Sequence, residues 1–234
     1  AGLREAGHQV VPLGIAENGC WVERRQGEAA LAGEIDSLTS KDEPIRASLR
    51  PLLDADIDLV FPVVHGTWGE DGTLQGLCEM LDLPYVGADV TTSAIAMDKL
   101  QCKRLLSACG IPVVDYEPVM ATELQQSASD CLGRLGRLST PLFVKPSCGG
   151  SSAGVRRVTN RDDLLPALEF ALQFDDAVVV EVEIAGRELE CSVLGDEVLQ
   201  ASAIGEIVPG NEFYDYEDKY LQDSADLRMP AELA

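Results

Sequence analysis

Positive charge is scarce in this chain of 234 residues: 18 Lys and Arg stand against 40 Asp and Glu, for a formal net charge of −22. Such a surface repels phosphate backbones and anionic lipid headgroups, which argues against nucleic-acid and membrane-surface partners. No apolar run approaches the roughly 20 residues that a membrane-spanning helix needs. The two histidines leave no His-rich metal site, and H-E-x-x-H does not occur. The seven cysteines are odd in number and include no C-x-x-C pair. That excludes the usual zinc and disulfide frameworks and fits a reducing cytoplasm. Neither an initiator Met nor a signal pattern opens the chain. Residues 3–7 read instead as a helix end closed by glycine, so a truncated N-terminus is expected.

The remaining composition is globular, with 46% hydrophobic and 25% charged residues. A small hairpin insert is expected between Cys20 and Ser40, then helical spacing over 45–54. Residues 57–64 form a nearly continuous apolar run, as in strands buried on both faces of a parallel sheet. The run ends in His65-Gly66-Thr67-Trp68-Gly69-Glu70-Asp71-Gly72. Helical spacing over 73–81, a short strand at 84–87 and a helix over 91–109 complete a doubly wound α/β pattern. After residue 111 the order changes. Strands are predicted at 142–146, 154–158, 177–182, 188–194 and 198–204, with helices near 122–136 and 161–174. Strands now outnumber helices, as in an α+β unit with an antiparallel sheet. The acidic stretch after Gly205 holds Tyr214, Tyr216 and Tyr220 and reads as a lid loop.

Phe143-Val144-Lys145-Pro146-Ser147-Cys148-Gly149-Gly150-Ser151-Ser152-Ala153-Gly154 is a strand feeding a glycine-serine loop. Bare N–H groups and hydroxyls there can wrap an anion beside the fixed charge of Lys145. The lysine precedes the loop and no helix follows, so this is not G-x-x-x-x-G-K-[ST]. Alone, the segment also fits a solvated hairpin turn. The chain has only five lysines, however: Lys41, Lys99, Lys103, Lys145 and Lys219. A bound triphosphate would draw on these few cations. After the strand ending at Val180, main-chain groups near Glu181 could read an adenine edge and Glu188 could hold a ribose hydroxyl pair. Acidic residues at a strand end are also commonly just solvated. His65 sits where a buried strand meets a glycine-rich turn, the usual address for ligand contact in open α/β sheets.

The segments His65 to Gly76, Ala96-Met97-Asp98-Lys99, Val144 to Gly154 and Phe213-Tyr214-Asp215-Tyr216-Glu217-Asp218-Lys219-Tyr220-Leu221 together resemble signatures of the D-alanine–D-alanine ligases of the ATP-grasp superfamily. The resemblance implies a doubly wound N-terminal domain over 1–96, a central ATP-grasp subdomain over 97–184 and the start of a C-terminal ATP-grasp domain over 185–234. It implies a cytoplasmic enzyme, a homodimer in the family, that joins two D-alanines through a D-alanyl phosphate for peptidoglycan precursors. ATP is the implied nucleotide and Mg2+, or Mn2+ in its place, the implied metal. By resemblance Lys99, Lys145, Lys219, Gly150, Ser151 and Ser152 meet the phosphates. Glu181, Val182 and Ile184 form the adenine hinge, Glu188 meets the ribose and His65 lies near the first D-alanine. Ser151, Tyr220 and Lys219 belong to the closed lid and the catalytic group. The metal ligands are expected beyond residue 234, so the chain alone is expected to be inactive. Two alternatives stay open: a D-alanine–D-lactate or D-alanine–D-serine ligase, and a noncatalytic nucleotide-binding remnant.

Overall fold

The computed structural model describes residues 2–16, 19–22, 24–35, 37–38, 49–208 and 226–233. The chain divides into two units, one of residues 1–61 with 82–86 and one of residues 62–81 with 87–234.

The first unit holds α1 (Gly2–Glu5), a hairpin of β1 (Gly14–Ile15) with β2 (Trp21–Val22), α2 (Arg24–Leu31) and α3 (Arg50–Leu53). The insert predicted after Cys20 thus includes a helix, and the buried apolar residues of this unit include Ala16, Cys20, Val22 and Leu52 among the described residues. Parallel pairing among the described residues is confined to one bridge, Val60 with Tyr85. Val60 N donates to Pro84 O at 2.8 Å and Val86 N to Val60 O at 2.9 Å. The apolar run from residue 57 therefore gives one paired residue rather than a full strand.

In the second unit, α4 (Thr73–Met80), α5 (Val90–Met97) and α6 (Lys99–Ala108) precede β3 (Tyr116–Met120), α7 (Ala121–Gln126) and α8 (Ala128–Leu135). Then come β4 (Leu142–Pro146), β5 (Arg156–Val158), a 3-10 turn (Arg161–Asp163), α9 (Leu164–Ala171) and β6 (Ala177–Val182). The last elements are β7 (Glu188–Glu190), β8 (Val193–Leu194), β9 (Gln200–Ala201), β10 (Gly205–Val208) and β11 (Asp226–Arg228).

Strands β3, β6, β4 and β5 form one antiparallel sheet in that order, with β6 paired on both sides. Period-two alternation decides its faces. Leu142 and Val144 of β4 and Val178 and Val180 of β6 turn inward. Phe143, Lys145 and Glu181 fall on the opposite face, where Phe143 lies opposite Glu181 and Glu181 opposite Tyr116. The inward face is covered by α8 and α9, whose buried residues recur at helical spacing: Cys131 and Leu135, then Leu164, Ala167, Leu168 and Ala171. Arg161 ties the two layers together. Its guanidinium donates to the carbonyls of Leu135 (2.9 Å) and Leu138 at the end of α8, satisfying acceptors that the helix leaves open.

Strands β7, β10 and β11 make a second antiparallel sheet and β8 and β9 a hairpin, so the antiparallel arrangement expected after residue 111 is what forms. Arg187 and Glu206 brace the second sheet with two bonds, 2.6 and 2.7 Å. The tyrosine-rich segment with Lys219 and Tyr220 lies outside the described residues. None of the described helices is long and apolar enough to cross a membrane.

Leu168 is fully buried between α9 and the sheet. Leu168→Ala removes its contacts and opens a cavity, which costs about 2–5 kcal/mol. Urea denaturation followed by tryptophan-independent far-UV circular dichroism should show the midpoint falling accordingly, with ordinary helix content before the transition.

Candidate active site

One carboxylate organises the open face of the four-stranded sheet. Glu181 Oε1 accepts from Lys145 Nζ of the neighbouring strand, and Oε2 pairs with Lys103 Nζ of α6 at 2.8 Å. Each ammonium also rests on an aromatic face: Lys103 lies 5.3 Å from the Tyr116 ring centroid and Lys145 5.1 Å from that of Phe143. Burial alone would push the Glu181 carboxyl up, but Lys145 and Lys103 outweigh it and hold it below its ordinary value. Glu181 is therefore an anion at neutral pH.

The next lysine is placed by a break in a helix. Residues 91–109 read as one helix, but the structure divides them at Asp98, whose backbone is extended (φ −83°, ψ 103°). Its carboxylate caps α6, accepting from Leu100 N at 3.0 Å and Gln101 N at 3.2 Å. Ser147 Oγ donates to the same oxygen at 2.5 Å, and Lys99 N donates to Ser147 O at 2.9 Å. These bonds pin the start of α6 to the end of β4. The Lys99 ammonium consequently reaches Gly149 O at 2.9 Å. Burial, followed by the charge of Lys145, lowers the Lys99 pKa. The site thus holds a cation that lacks full compensation, and an incoming anion would supply it.

Beyond β4 the chain enters the glycine-serine loop. Gly149 has φ +131°, and Ser151 and Ser152 both adopt left-handed backbone, φ +52° and +59°. Two successive left-handed residues other than glycine cost about 1–2 kcal/mol each, a strain typical of ligand-holding loops. Gly154 closes the turn at φ +74°, where a side chain would strike Pro146 and Phe174 within 3 Å. Cys148 N is held by Asp175 Oδ2 at 2.6 Å, and burial, Asp175 and Asp98 push the Cys148 thiol up to about 11.

The loop after His65 faces this cradle. Gly66 N donates to Glu70 Oε2 at 2.5 Å, while Asp71 accepts from Trp68 N at 2.7 Å and Thr73 N at 3.0 Å. Burial works against the Asp71 charge, but these N–H donors prevail and its pKa is lowered. Buried Gln75 donates from Nε2 to Gly69 O at 3.1 Å. Gly66, Thr67, Gly149, Gly150, Ser151 and Phe174 line a shared cavity of about 240 Å³. That is below the roughly 300 Å³ at which drug-sized pockets begin, and suits a phosphoryl group or a small amino acid. His65 is exposed immediately beside it.

Of the remaining sequence-predicted residues, Val182 ends β6 at the far end from the glycine-serine loop. Val182 N donates to Asp115 O at 3.0 Å and Glu183 N to Pro141 O at 3.0 Å, so the N–H groups of these two residues are engaged. Ile184 is exposed just after them, and Glu188 is exposed at the start of β7, opposite Ile207. Lys219 and Tyr220 fall outside the described residues. Sequence reasoning counted Lys103 among the five lysines but gave it no role in the site, although its spacing of four from Lys99 puts both on one face of α6. It also missed Asp98, Ser147 and Asp175 as the frame of the loop. Among the described residues no group of three or more His, Cys, Asp or Glu side chains could hold a metal ion.

The chain matches two family models, "D-ala D-ala ligase N-terminus" over residues 1–88 and "D-ala D-ala ligase C-terminus" over residues 105–234. It is 42% identical over 228 residues to a D-alanine–D-alanine ligase of Halothermothrix orenii, covering 97% of this chain and 66% of that relative. A D-alanine–D-alanine ligase of Mycolicibacterium vanbaalenii is 45% identical over 251 residues, covering 96% and 67%. The chain thus spans about two thirds of the length of these curated relatives. Among solved structures, the D-Ala:D-Ser ligase of Enterococcus faecalis superposes with a TM-score of 0.73 at 32% identity, covering 97% of this chain and 68% of that one.

Glu181→Gln removes the counter-ion of two lysines. Breaking a fully buried pair costs roughly 3–5 kcal/mol; because the Lys145 side chain keeps 26% exposure, about 2–3 kcal/mol is expected. The folded pKa of Glu181 lies below the unfolded value of about 4.3, so its contribution is present above that pH. It is lost as pH falls through the folded pKa. Acid titration of urea stability should therefore show a smaller loss below about pH 4.3 in Glu181→Gln than in the unaltered chain.

Proposed function

The chain belongs to the D-alanine–D-alanine ligase family, and on that premise we propose that the protein joins two D-alanines at the expense of ATP. The observation that carries this reading is the convergence of Lys99, Lys145 and the glycine-serine loop on one end of the sheet. In a chain of net charge −22, that gathering of cations and N–H donors supports a polyanionic nucleotide substrate.

The reaction has two steps. A carboxylate oxygen of the first D-alanine attacks the terminal phosphorus of ATP, giving D-alanyl phosphate and ADP. The amine of the second D-alanine then attacks the acyl carbon, the C–O bond to phosphate breaks, and the amine loses a proton as the peptide bond forms. Both steps bring anions or charge-rich groups together, so fixed cations and amide dipoles must offset repulsion where charge develops. Lys99, Lys145, Gly150, Ser151 and Ser152 are assigned to the phosphates, with Lys219 from the lid. Glu181, Val182 and Ile184 are assigned to the adenine, and Glu188 to the ribose. His65 lies on the side of the first D-alanine, and Ser151 and Tyr220 close the lid over it, excluding water that would hydrolyse the acyl phosphate. Residues 97–184 and 185–234 would hold the nucleotide and residues 1–96 the substrate side. The described residues offer no metal-ligand cluster, so no step is assigned to Mg2+. The same family membership supports a cytoplasmic homodimer supplying peptidoglycan precursors.

Likeness to the Enterococcus faecalis D-Ala:D-Ser ligase favours a second reading, in which D-serine is the acceptor. The curated relatives named for D-alanine are the more similar in sequence and give the first reading precedence.

ADP release by the protein carrying this chain, with Mg-ATP, should depend on D-alanine and yield D-alanyl-D-alanine. D-Serine and D-lactate, offered in competition at neutral pH, should be incorporated less; preferential D-alanyl-D-serine would select the second reading, and release independent of D-alanine would overturn both. Lys99→Met should weaken ATP binding tenfold or more by calorimetry. Since the folded state lowers the Lys99 pKa, its charge opposes folding at neutral pH, a penalty relieved as pH rises through the folded pKa. The thermal midpoint of Lys99→Met should accordingly stay within about 3 °C of the parent.

A further inference from the structure

The Lys145 ammonium faces two demands. In the structure it is bound to Glu181, yet the proposed function assigns it to a nucleotide phosphate. Turning toward phosphate weakens its hold on a carboxylate whose side chain is only 11% exposed, and a buried carboxylate left without a partner is strongly unfavourable. Lys103 meets this difficulty. It binds the other oxygen, Oε2, at 2.8 Å, from a different element, and its side chain is itself only 16% exposed. The Tyr116 ring beneath it fixes its position, since Tyr116 stands opposite Glu181 in the sheet register. Its place on α6, four residues after Lys99, is set by the Asp98 cap that also sets Lys99.

We propose that Lys103 is a positioning residue for nucleotide binding: it stays on Glu181 as the standing counter-ion and thereby frees Lys145 to engage phosphate. The inference rests on the nucleotide reading above. Without Lys103, Lys145 becomes the sole partner of Glu181 and is retained by it. The effect then falls on the affinity for phosphate-bearing ligands and not on the chemical step.

Calorimetric titration with ATP, and with adenosine as a ligand carrying no phosphate, tests this on the unaltered protein and on Lys103→Met, Lys103→Arg, Glu181→Gln and the Lys103→Met/Glu181→Gln double variant. Lys103→Met should weaken ATP at least tenfold and adenosine less than twofold, and should raise the KM for ATP more than it lowers kcat. Lys103→Arg, which keeps the charge, should bind ATP within about threefold of the parent. In the Glu181→Gln background the Lys103→Met change should have almost no further effect, because the residue it acts through is gone. Equal loss of ATP and adenosine, an undiminished effect in the Glu181→Gln background, or unchanged ATP binding by Lys103→Met would each overturn the proposal. Should Lys103→Met fail to fold, Lys103→Arg and Lys103→Gln carry the same comparison, and parent-like ATP binding by Lys103→Gln overturns it. Failure of the unaltered protein to bind ATP would instead remove the nucleotide reading, and this inference with it.

Discussion

The sharing of Glu181 between Lys145 and Lys103 is the interaction on which the site's arrangement depends. It joins β4, β6 and α6 at one point through charges that the other face of the sheet, filled with Leu142, Val144, Val178 and Val180, could not accommodate. The division of labour follows from strand geometry. Residues two apart share a face, so one face of the same strands builds a dry core under α8 and α9 and the other presents an ionic cluster. Three of the five lysines of a strongly acidic chain gather at this site, Lys145 and Lys103 through Glu181 and Lys99 through the Asp98 cap and its bond to Gly149 O, against the repulsion of Lys145.

Placement of the cluster against the glycine-serine loop depends on Asp98. A single carboxylate ends α5, starts α6 and accepts the Ser147 hydroxyl, so the helix that carries Lys99 and Lys103 is fixed to the strand that carries Lys145. Ser147 returns its carbonyl to Lys99 N. The loop that follows is strained at Ser151 and Ser152, and its neighbour Cys148 is anchored by Asp175. A rigid frame around a strained loop preserves donor directions before any ligand arrives, which is what electrostatic stabilisation of a transferring phosphoryl group requires.

Much of this was legible in the residues, and the exceptions have physical causes. The β4–loop–β5 segment and β6 read correctly because alternation and glycine chemistry are local properties. The Arg161 cap and the Asp98 break were not legible: Asp in the midst of helical spacing looks like an ordinary surface residue until Ser147 is brought to it from 49 positions away. Lys103 was hidden for a related reason, since its partner lies on a strand whose register the sequence does not state. The apolar run at 57–64 shows the converse. Its composition suits a buried strand, but a strand exists only where a neighbour answers its hydrogen bonds, and among the described residues only 84–86 does so, at Val60. The ATP-grasp resemblance supplied roles for residues that spacing alone left open, such as Glu188, which stands exposed at a strand end.

Cys148 occupies a position that would ordinarily endanger such a loop, exposed and next to the glycines that line the cavity. Oxidants and alkylating agents attack the thiolate, and adjacent lysines usually promote it. Here burial and the carboxylates of Asp175 and Asp98 prevail over Lys99 and push the thiol up to about 11, so the neutral thiol is the favoured form at pH 7. Burial together with the acidic residues that hold the loop in shape therefore disfavours the reactive form of this sulfur, so the loop's frame also lowers its susceptibility to peroxide and disulfide exchange.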